Sequence, residues 1–279
     1  MAYAKPLFEN GIATLPLINL LEMTGIQGVN PDIKSVLEIT QLHWRQSDKH
    51  SGDIQDTFAH LKAGAKPIFE ELGYIGEQIG TTQPYFDYAI VCGAYILAVR
   101  KRFALLKKLW ETGVQFGHLV LCGGKRAANP EKESAYTINN PSGGLILRDD
   151  WQLLSNVPVT EDLLMEMVLQ QSDLPKEWTR GNAYTVVDTP LREDRPTKKD
   201  PSGEDALNWW LKTKRPMGDS RVLLVYSQPQ LRHMELTAKR ILGPMKMQVD
   251  CIGYEAPGEI NVNQVLDTIA KVIFEIAKT

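Results

Sequence analysis

Two glycines followed by two basic residues form the segment of this chain that is best suited to binding an anion. Gly123 and Gly124 end an apolar run, and Lys125 and Arg126 come directly after them. Glycine allows a ligand to approach the backbone closely, and basic side chains donate charge-assisted hydrogen bonds to phosphate or carboxylate groups. The alternative is an ordinary turn with solvated side chains. We therefore predict Gly123, Gly124 and Arg126 as ligand-binding residues, with a plain turn as the alternative.

Two carboxylates are candidates for acid/base chemistry. Asp188 follows two valines at the end of another apolar run, where it could accept a ribose hydroxyl, bind a metal-bound water or act as a base. Its structural alternative is to cap the following loop. Glu161 follows Thr160 at a predicted helix start, a position that helix capping also favours. Glu161 and Asp188 are the predicted catalytic residues.

Several common site patterns are missing from the sequence. The five histidines show no HxxxH or HExxH spacing, and the three cysteines form no CxxC pair. These spacings predict neither a metal site nor a disulfide framework. A GxGxxG turn in the right context and a GxxxxGK[ST] loop are also missing, which argues against a standard dinucleotide fingerprint or P-loop.

The elements that must position these residues follow an alternating pattern. Short apolar runs alternate with amphipathic stretches of helix length. The runs span 88–93, 118–124, 183–189, 221–227 and 247–254, and the stretches span 96–113, 160–172, 204–213, 231–243 and 261–279. Unalternating Ile/Val/Leu runs indicate strands covered on both faces, and the intervening helices indicate right-handed crossovers. The pattern predicts a doubly wound α/β domain with a mainly parallel, Rossmann-like sheet.

The pattern also predicts the domain organisation. Residues 1–84 read as an amino-terminal helical arm or cap, and 85–279 as the sheet domain. Residues near 125–159 are too long for a plain loop, so we predict an insertion there. Its NPSGG turn, flanked by YTIN and LILRDD, favours a small β excursion.

A parallel sheet binds its ligands beyond the carboxyl ends of its strands. The residues at these ends are therefore further candidates for ligand contact. They are Gly93 after the first run and Ser227, Gln228 and Gln230 at and after the fourth. Arg102, one turn into the first crossover helix, could reach the same edge and bind phosphate or carboxylate, or could pair with an acid.

Five blocks of the sequence, in order, resemble the YdcF/SanA/ElyC-like family of Rossmann-like proteins. That family has a strand ending in glycine followed by an arginine-led helix, an SGG strand, an SExxxM helix start, a TxENA element and a VTSxxHxxR loop. The similar segments here are AIVCG with Arg102-Phe103, LVLCGG, Thr160–Met165, Ser202–Ala206 and Val225–His233. Gln230 stands where the family has histidine, and His233 where it has arginine. The resemblance spans about residues 85–254.

The resemblance implies a phosphate- or nucleotide-like ligand at the strand ends, and one family member is associated with S-adenosylmethionine. It also favours a ligand role for Arg102. Gln230 replaces the imidazole of the family motif, which is the group that would titrate near neutrality at this position.

Composition limits the class of protein. The 279 residues carry a formal charge of −3 with 43% hydrophobic residues, which is ordinary globular composition and argues against a dedicated nucleic-acid surface. The first residues show no secretory signal pattern, and no run approaches ~18 apolar residues. We expect a cytoplasmic protein with a small-molecule ligand and without membrane contact, whose amino-terminal arm could present a surface to a protein partner.

Three functions fit these observations. The leading hypothesis is a protein that binds a nucleotide-like or phosphorylated small molecule and hydrolyses or transfers part of it. In this hypothesis Arg102 and Arg126 neutralise the ligand, while Glu161 and Asp188 supply acid/base or hydroxyl contacts. The second is a ligand-sensing or protein-interaction module without turnover, which Gln230 and the arm favour. The third and weakest is an S-adenosylmethionine-dependent methyltransferase, since the usual glycine-rich loop is reduced to Cys92-Gly93-Ala94.

Overall fold

The computed structural model describes residues 4–46, 54–140, 145–152, 154, 156, 158–194, 199–255 and 258–278. In chain order the elements are β1 (Phe8–Glu9), β2 (Ile12–Ala13), α1 (Leu15–Met23), α2 (Ile33–His43), α3 (Lys62–Glu71), β3 (Tyr85–Cys92), α4 (Ile96–Glu111), β4 (Gln115–Gly124), α5 (Ala135–Asn139), α6 (Glu161–Gln171), β5 (Tyr184–Thr189), α7 (Gly203–Lys214), β6 (Arg221–Ser227), α8 (Leu231–Leu242), β7 (Gln248–Tyr254) and α9 (Val262–Ile276). Three-residue 3-10 helices lie at Ala59–Leu61, Lys176–Trp178 and Gly243–Met245.

The chain divides into two compact units. Unit 1 comprises Met1–Gln78, Gln228–Thr237 and Glu255–Thr279, and unit 2 comprises Ile79–Ser227 and Ala238–Tyr254. The first boundary lies near the predicted one between residues 84 and 85. The prediction placed the whole of 85–279 in the sheet domain, whereas the structure groups the carboxyl-terminal helix with the amino-terminal segments.

A parallel sheet forms the centre of unit 2. Its strands, as far as the chain is described, run in the order β5-β4-β3-β6-β7, and every adjacent pair is parallel. The central strands are buried on both faces, as their continuous runs of valine, leucine and isoleucine require. The predicted doubly wound, Rossmann-like α/β fold is confirmed.

Two neighbouring glycines show which helices cover which face of this sheet. A Cβ placed on Gly123 would meet Met165 of α6, whereas one placed on Gly124 would meet Pro201, which lies just before α7. Successive residues of a strand point to opposite faces, so α6 and α7 cover opposite faces. Side chains of α4 pack into the same core as α6, which places α4 and α6 together on one face.

Unit 1 has a core of its own. The short antiparallel pair β1–β2 and side chains of α1, α2 and α3 surround the buried face of α9. Asp267 of α9 is buried and accepts hydrogen bonds from Arg45 Nη1 at 2.7 Å and from the backbone N–H of Gln46 at 2.8 Å. The carboxyl-terminal helix therefore belongs to this unit through both apolar packing and a partly buried ion pair.

The insertion contains a short helix where a β excursion was predicted. The YTIN sequence lies in α5, because Ser134 caps the Thr137 N–H and the carbonyls of Thr137 and Ile138 accept hydrogen bonds from buried Arg100. These contacts satisfy both ends of a helix too short to be stable alone. Residues 141–144 of the predicted NPSGG turn lie outside the described residues.

Candidate functional site

The carboxyl edge of the sheet contains a topological switch point between β3 and β6. From β3 the chain proceeds outward through β4 to β5, and it then returns to form β6 and β7 on the other side of β3. Loops therefore leave β3 and β6 in opposite directions, which in open α/β sheets creates the crevice where ligands bind. The strand ends that border this crevice are Cys92-Gly93 and Ser227.

The side chain of Arg102 lies between these two strand ends. Its Nη1 donates to the carbonyls of Cys92, at 2.5 Å, and of Gly93, at 2.8 Å, and its Nη2 donates to Ser227 Oγ at 3.1 Å. The guanidinium stacks on the ring of Tyr226, 4.3 Å from its centroid. Arg102 is only 3% exposed. The structure thus shows Arg102 joining β3 to β6 through protein hydrogen bonds, and its predicted ligand contact stays a prediction.

Glu161 lies directly beside this arginine site, as the first residue of α6. A Cβ on Gly93 would come within 2.6 Å of the Glu161 carboxyl carbon, so the carboxyl rests against the backbone at the end of β3. Its Oε1 accepts a long hydrogen bond of 3.4 Å from Arg126 Nε. Burial raises the pKa of Glu161 to about 7, although Arg126 and Arg102 oppose the shift. A carboxyl with this pKa can give or take a proton at neutral pH.

Arg126 is bound mainly by a second carboxylate, Glu133. Arg126 Nη1 donates to Glu133 Oε2 at 2.9 Å and Nη2 donates to Glu133 Oε1 at 3.1 Å. The same carboxylate accepts from the backbone N–H groups of Ile96, at the start of α4, and of Asn129. Glu133 was not among the predicted site residues. It lies in the insertion, where no periodicity or motif in the sequence marks it.

A second ionic group lies at the ends of β4 and β5. Lys125 Nζ is 2.6 Å from Asp162 Oδ2 and 3.9 Å from Asp188 Oδ2. A hydrogen bond from Lys125 to Asp162 raises the lysine pKa. The side chains of Lys125 and Asp188 are 42% and 54% exposed, whereas that of Asp162 is buried. Lys125 and Asp188 are therefore open to a ligand.

Asp188 and Arg102 share an edge and a face of the sheet but do not form a pair. Asp188 is in register with Gly123, whose Cβ position faces α6, so Asp188 also lies on the α6 face. Strand β4 separates β5 from β3, which puts about 10 Å between the two strand ends. Among the described contacts, the cation near Asp188 is Lys125.

The three predicted glycines lie against the protein's own elements. Gly93 accommodates the Glu161 carboxyl, Gly123 accommodates the first turn of α6, and Gly124 accommodates Pro201. A Cβ at any of these positions would collide with the protein atoms already there. The glycines therefore allow α6, and Pro201 before α7, to pack closely against the strands. Their predicted ligand contacts stay predictions.

The remaining candidates from the fourth strand end divide between the units. Ser227 ends β6 in unit 2 and accepts the hydrogen bond from Arg102. Gln228 and Gln230 belong to unit 1, where buried Gln228 donates from Nε2 to the carbonyl of Gly73 at 3.2 Å. The carbonyl of Gln230 accepts from the Met234 N–H in the first turn of α8. Gln228 therefore has a hydrogen-bonding role within unit 1.

Two buried thiols complete the strand ends. Cys92 and Cys122 are partners in the β3–β4 register, and both are buried. Burial raises the pKa of the Cys92 thiol to about 12 and that of Cys122 well above its usual value. Both thiols are protonated at neutral pH and are not nucleophiles.

No group of three or more His, Cys, Asp or Glu side chains in the described ranges could hold a metal ion. The described helices include none with the length and apolar character needed to cross a membrane. Neither the family models nor the curated proteins nor the solved structures contain a match to this chain.

Proposed function

We propose that unit 2 binds a nucleotide-like or phosphorylated small molecule at the carboxyl edge of its sheet, with Glu161 as the proton-transferring group. The observation that carries this proposal is the place of the Glu161 carboxyl. It lies against Gly93 beside the β3–β6 switch point, in the first turn of α6, with one long hydrogen bond from Arg126. Catalytic carboxyls characteristically combine burial with incomplete pairing at such an edge.

Lys125 and Asp188 supply the ligand contacts in this proposal. The exposed Lys125 ammonium can turn from Asp162 and Asp188 towards a phosphate or carboxylate group of the ligand. The Asp188 carboxylate can then accept a hydroxyl of the same ligand. Arg102 has a positioning role in this proposal. It holds the ends of β3 and β6 together, which keeps Gly93 and Glu161 in place.

The test combines binding with turnover on a panel of nucleotides, sugar phosphates and S-adenosylmethionine. We expect at least one compound to raise the melting temperature and to be converted. Glu161→Gln should then keep binding but lose about 10²–10⁴-fold in kcat, the usual value of general acid–base catalysis. In the wild type, kcat/KM should rise with pH and level off above about 7, because the ionised carboxylate takes the proton.

The control for this experiment is Glu177→Gln, which changes an exposed glutamate elsewhere in unit 2. It should match the wild type in binding and turnover. A panel without any stabilising compound, or a Glu161→Gln variant with full turnover, would contradict the proposal.

A non-catalytic ligand-sensing module is the second candidate, and one observation favours it. The Nη groups of Arg102 and Arg126 donate to protein acceptors. A network of this kind can hold a ligand-responsive edge without any chemistry. Stabilisation by a panel compound without product would support this alternative.

A further inference from the structure

Two buried carboxylates share one guanidinium at the candidate site, and they share it unequally. Glu133 receives both Nη groups of Arg126, at 2.9 and 3.1 Å, whereas Glu161 receives only Nε, at 3.4 Å. Paired Nη contacts to one carboxylate give the strongest form of this ion pair. Glu133 therefore has the stronger electrostatic interaction with Arg126, and Glu161 has the weaker one.

The backbone gives Glu133 a further advantage over Glu161. Its oxygens also accept from the N–H groups of Ile96, at 3.1 Å, and Asn129, at 2.7 Å. The Ile96 N–H belongs to the first turn of α4, where the helix dipole favours negative charge. Four donors, one of them at a helix amino terminus, thus surround the Glu133 carboxylate next to Glu161.

We propose that Glu133 is a positioning residue which acts through Arg126: by occupying both Nη groups, it denies Glu161 a full ion pair and so keeps that carboxyl available to hold a proton. The inference rests on the proposed function, which gives the reason for Glu161 to hold a proton. The titration that tests it does not depend on that function. Among the described residues, the other charged or titratable groups that interact with Glu161 include Arg102, Cys92, Cys122 and Tyr226. The Nη groups of Arg102 are bound to the carbonyls of Cys92 and Gly93 and to the hydroxyl of Ser227.

The test is a carboxyl ¹³C NMR titration of the full chain labelled at glutamate, with Glu161→Gln used to assign the Glu161 signal. In the wild type we expect the Glu161 midpoint near 7. Glu133→Gln removes one negative charge and frees Arg126 to pair with Glu161, so the midpoint should fall by at least about 1 pH unit. A role in structure alone would not move this midpoint.

The matched control is Glu131→Gln, which neutralises an exposed glutamate in the same segment and should leave the midpoint unchanged. Because Glu133→Gln could fail to fold, Arg126→Gln provides a second measurement, and its loss of the shared cation should raise the Glu161 midpoint. A folded Glu133→Gln protein with the wild-type midpoint overturns the proposal, as does an unchanged midpoint in Arg126→Gln. No ligand is present in the titration, so failure of the proposed function would leave these results as they are.

Discussion

At residue scale, the burial of Glu161 links the candidate site to the stability of the protein. The folded protein holds the Glu161 proton up to a pKa of about 7, whereas the unfolded chain releases it near the ordinary glutamate value of 4.5. Between these values the folded state binds more protons than the unfolded state. The free energy of unfolding therefore falls as the pH rises through this window.

Replacing this carboxyl with a neutral amide should remove that loss. We expect Glu161→Gln to be more stable than the wild type at pH 8 by up to about 3 kcal/mol, with the difference vanishing near pH 4.5. Urea denaturation of both proteins at a series of pH values measures this difference. Glu177→Gln should follow the wild type throughout, and a pH-independent difference for Glu161→Gln would contradict the prediction, because it would mean that folding leaves the Glu161 pKa unchanged.

At the scale of elements, the structure gives the Ser202–Ala206 block a role at the start of α7. Ser202 Oγ accepts from the Asp205 N–H at 3.2 Å, and Asp205 Oδ2 accepts from the Ser202 N–H at 2.7 Å. These reciprocal bonds form a capping box at the amino terminus of the helix. The Ser202–Ala206 block therefore has a structural role in beginning α7.

Loss of this cap should destabilise unit 2 by a modest amount. We expect Ser202→Ala to lower the free energy of unfolding by about 1 kcal/mol, since it removes the side-chain acceptor for the Asp205 N–H. Thr213→Ala, in the last turns of the same helix, should cost less, because its hydroxyl only donates back to the Trp209 carbonyl. Equal losses in the two variants, measured by chemical denaturation, would contradict a specific capping role.

The sequence predicted the strands well and the insertion poorly, for physical reasons. Runs such as 118–124 and 221–227 have only one way to bury apolar side chains on both faces, namely as central strands, and the structure has strands there. The YTIN segment favours a strand by local propensity, but a serine cap and distant Arg100 make it helical. Local patterns do not record such long-range contacts.

The helix start at Glu161 could be predicted from the sequence, but the ion-pair partners around it could not. Glu161 was predicted because it follows Thr160 at a predicted helix start, and α6 does begin at Glu161. The partners of Arg102 and Arg126 depend on where the crossover helix and the insertion return in space. Nothing in the spacing of Glu133 relates it to Arg126 as an ion-pair partner.

At the scale of the whole molecule, unit 1 contains a titratable group with the opposite pH dependence. Burial lowers the pKa of His233 from 6.5 to about 4, and nearby cations lower it further while nearby carboxylates raise it. Those charges are Lys271, Arg45, Asp267 and Glu275. The unfolded chain binds the His233 proton below pH 6.5 while the folded protein does not, so stability falls as the pH drops from 6.5 towards 4.

Replacing His233 should reduce the loss in free energy of unfolding at acidic pH. The wild type should lose up to about 3 kcal/mol between pH 6.5 and 4 through His233, and His233→Gln should not show this loss. The measurement is chemical denaturation across this pH range, with exposed His43→Gln as the control. A His233→Gln protein with the same acid dependence as the wild type would contradict the assignment.

The two free thiols of Cys92 and Cys122 provide a way to measure how often unit 2 opens. The two thiols lie next to each other on the central strands β3 and β4, and neither is exposed. An alkylating reagent can reach them only after helices and strands at this edge have separated. Mass analysis of alkylated molecules therefore gives a chemical record of how often the centre of the sheet opens, using thiols that the chain already contains.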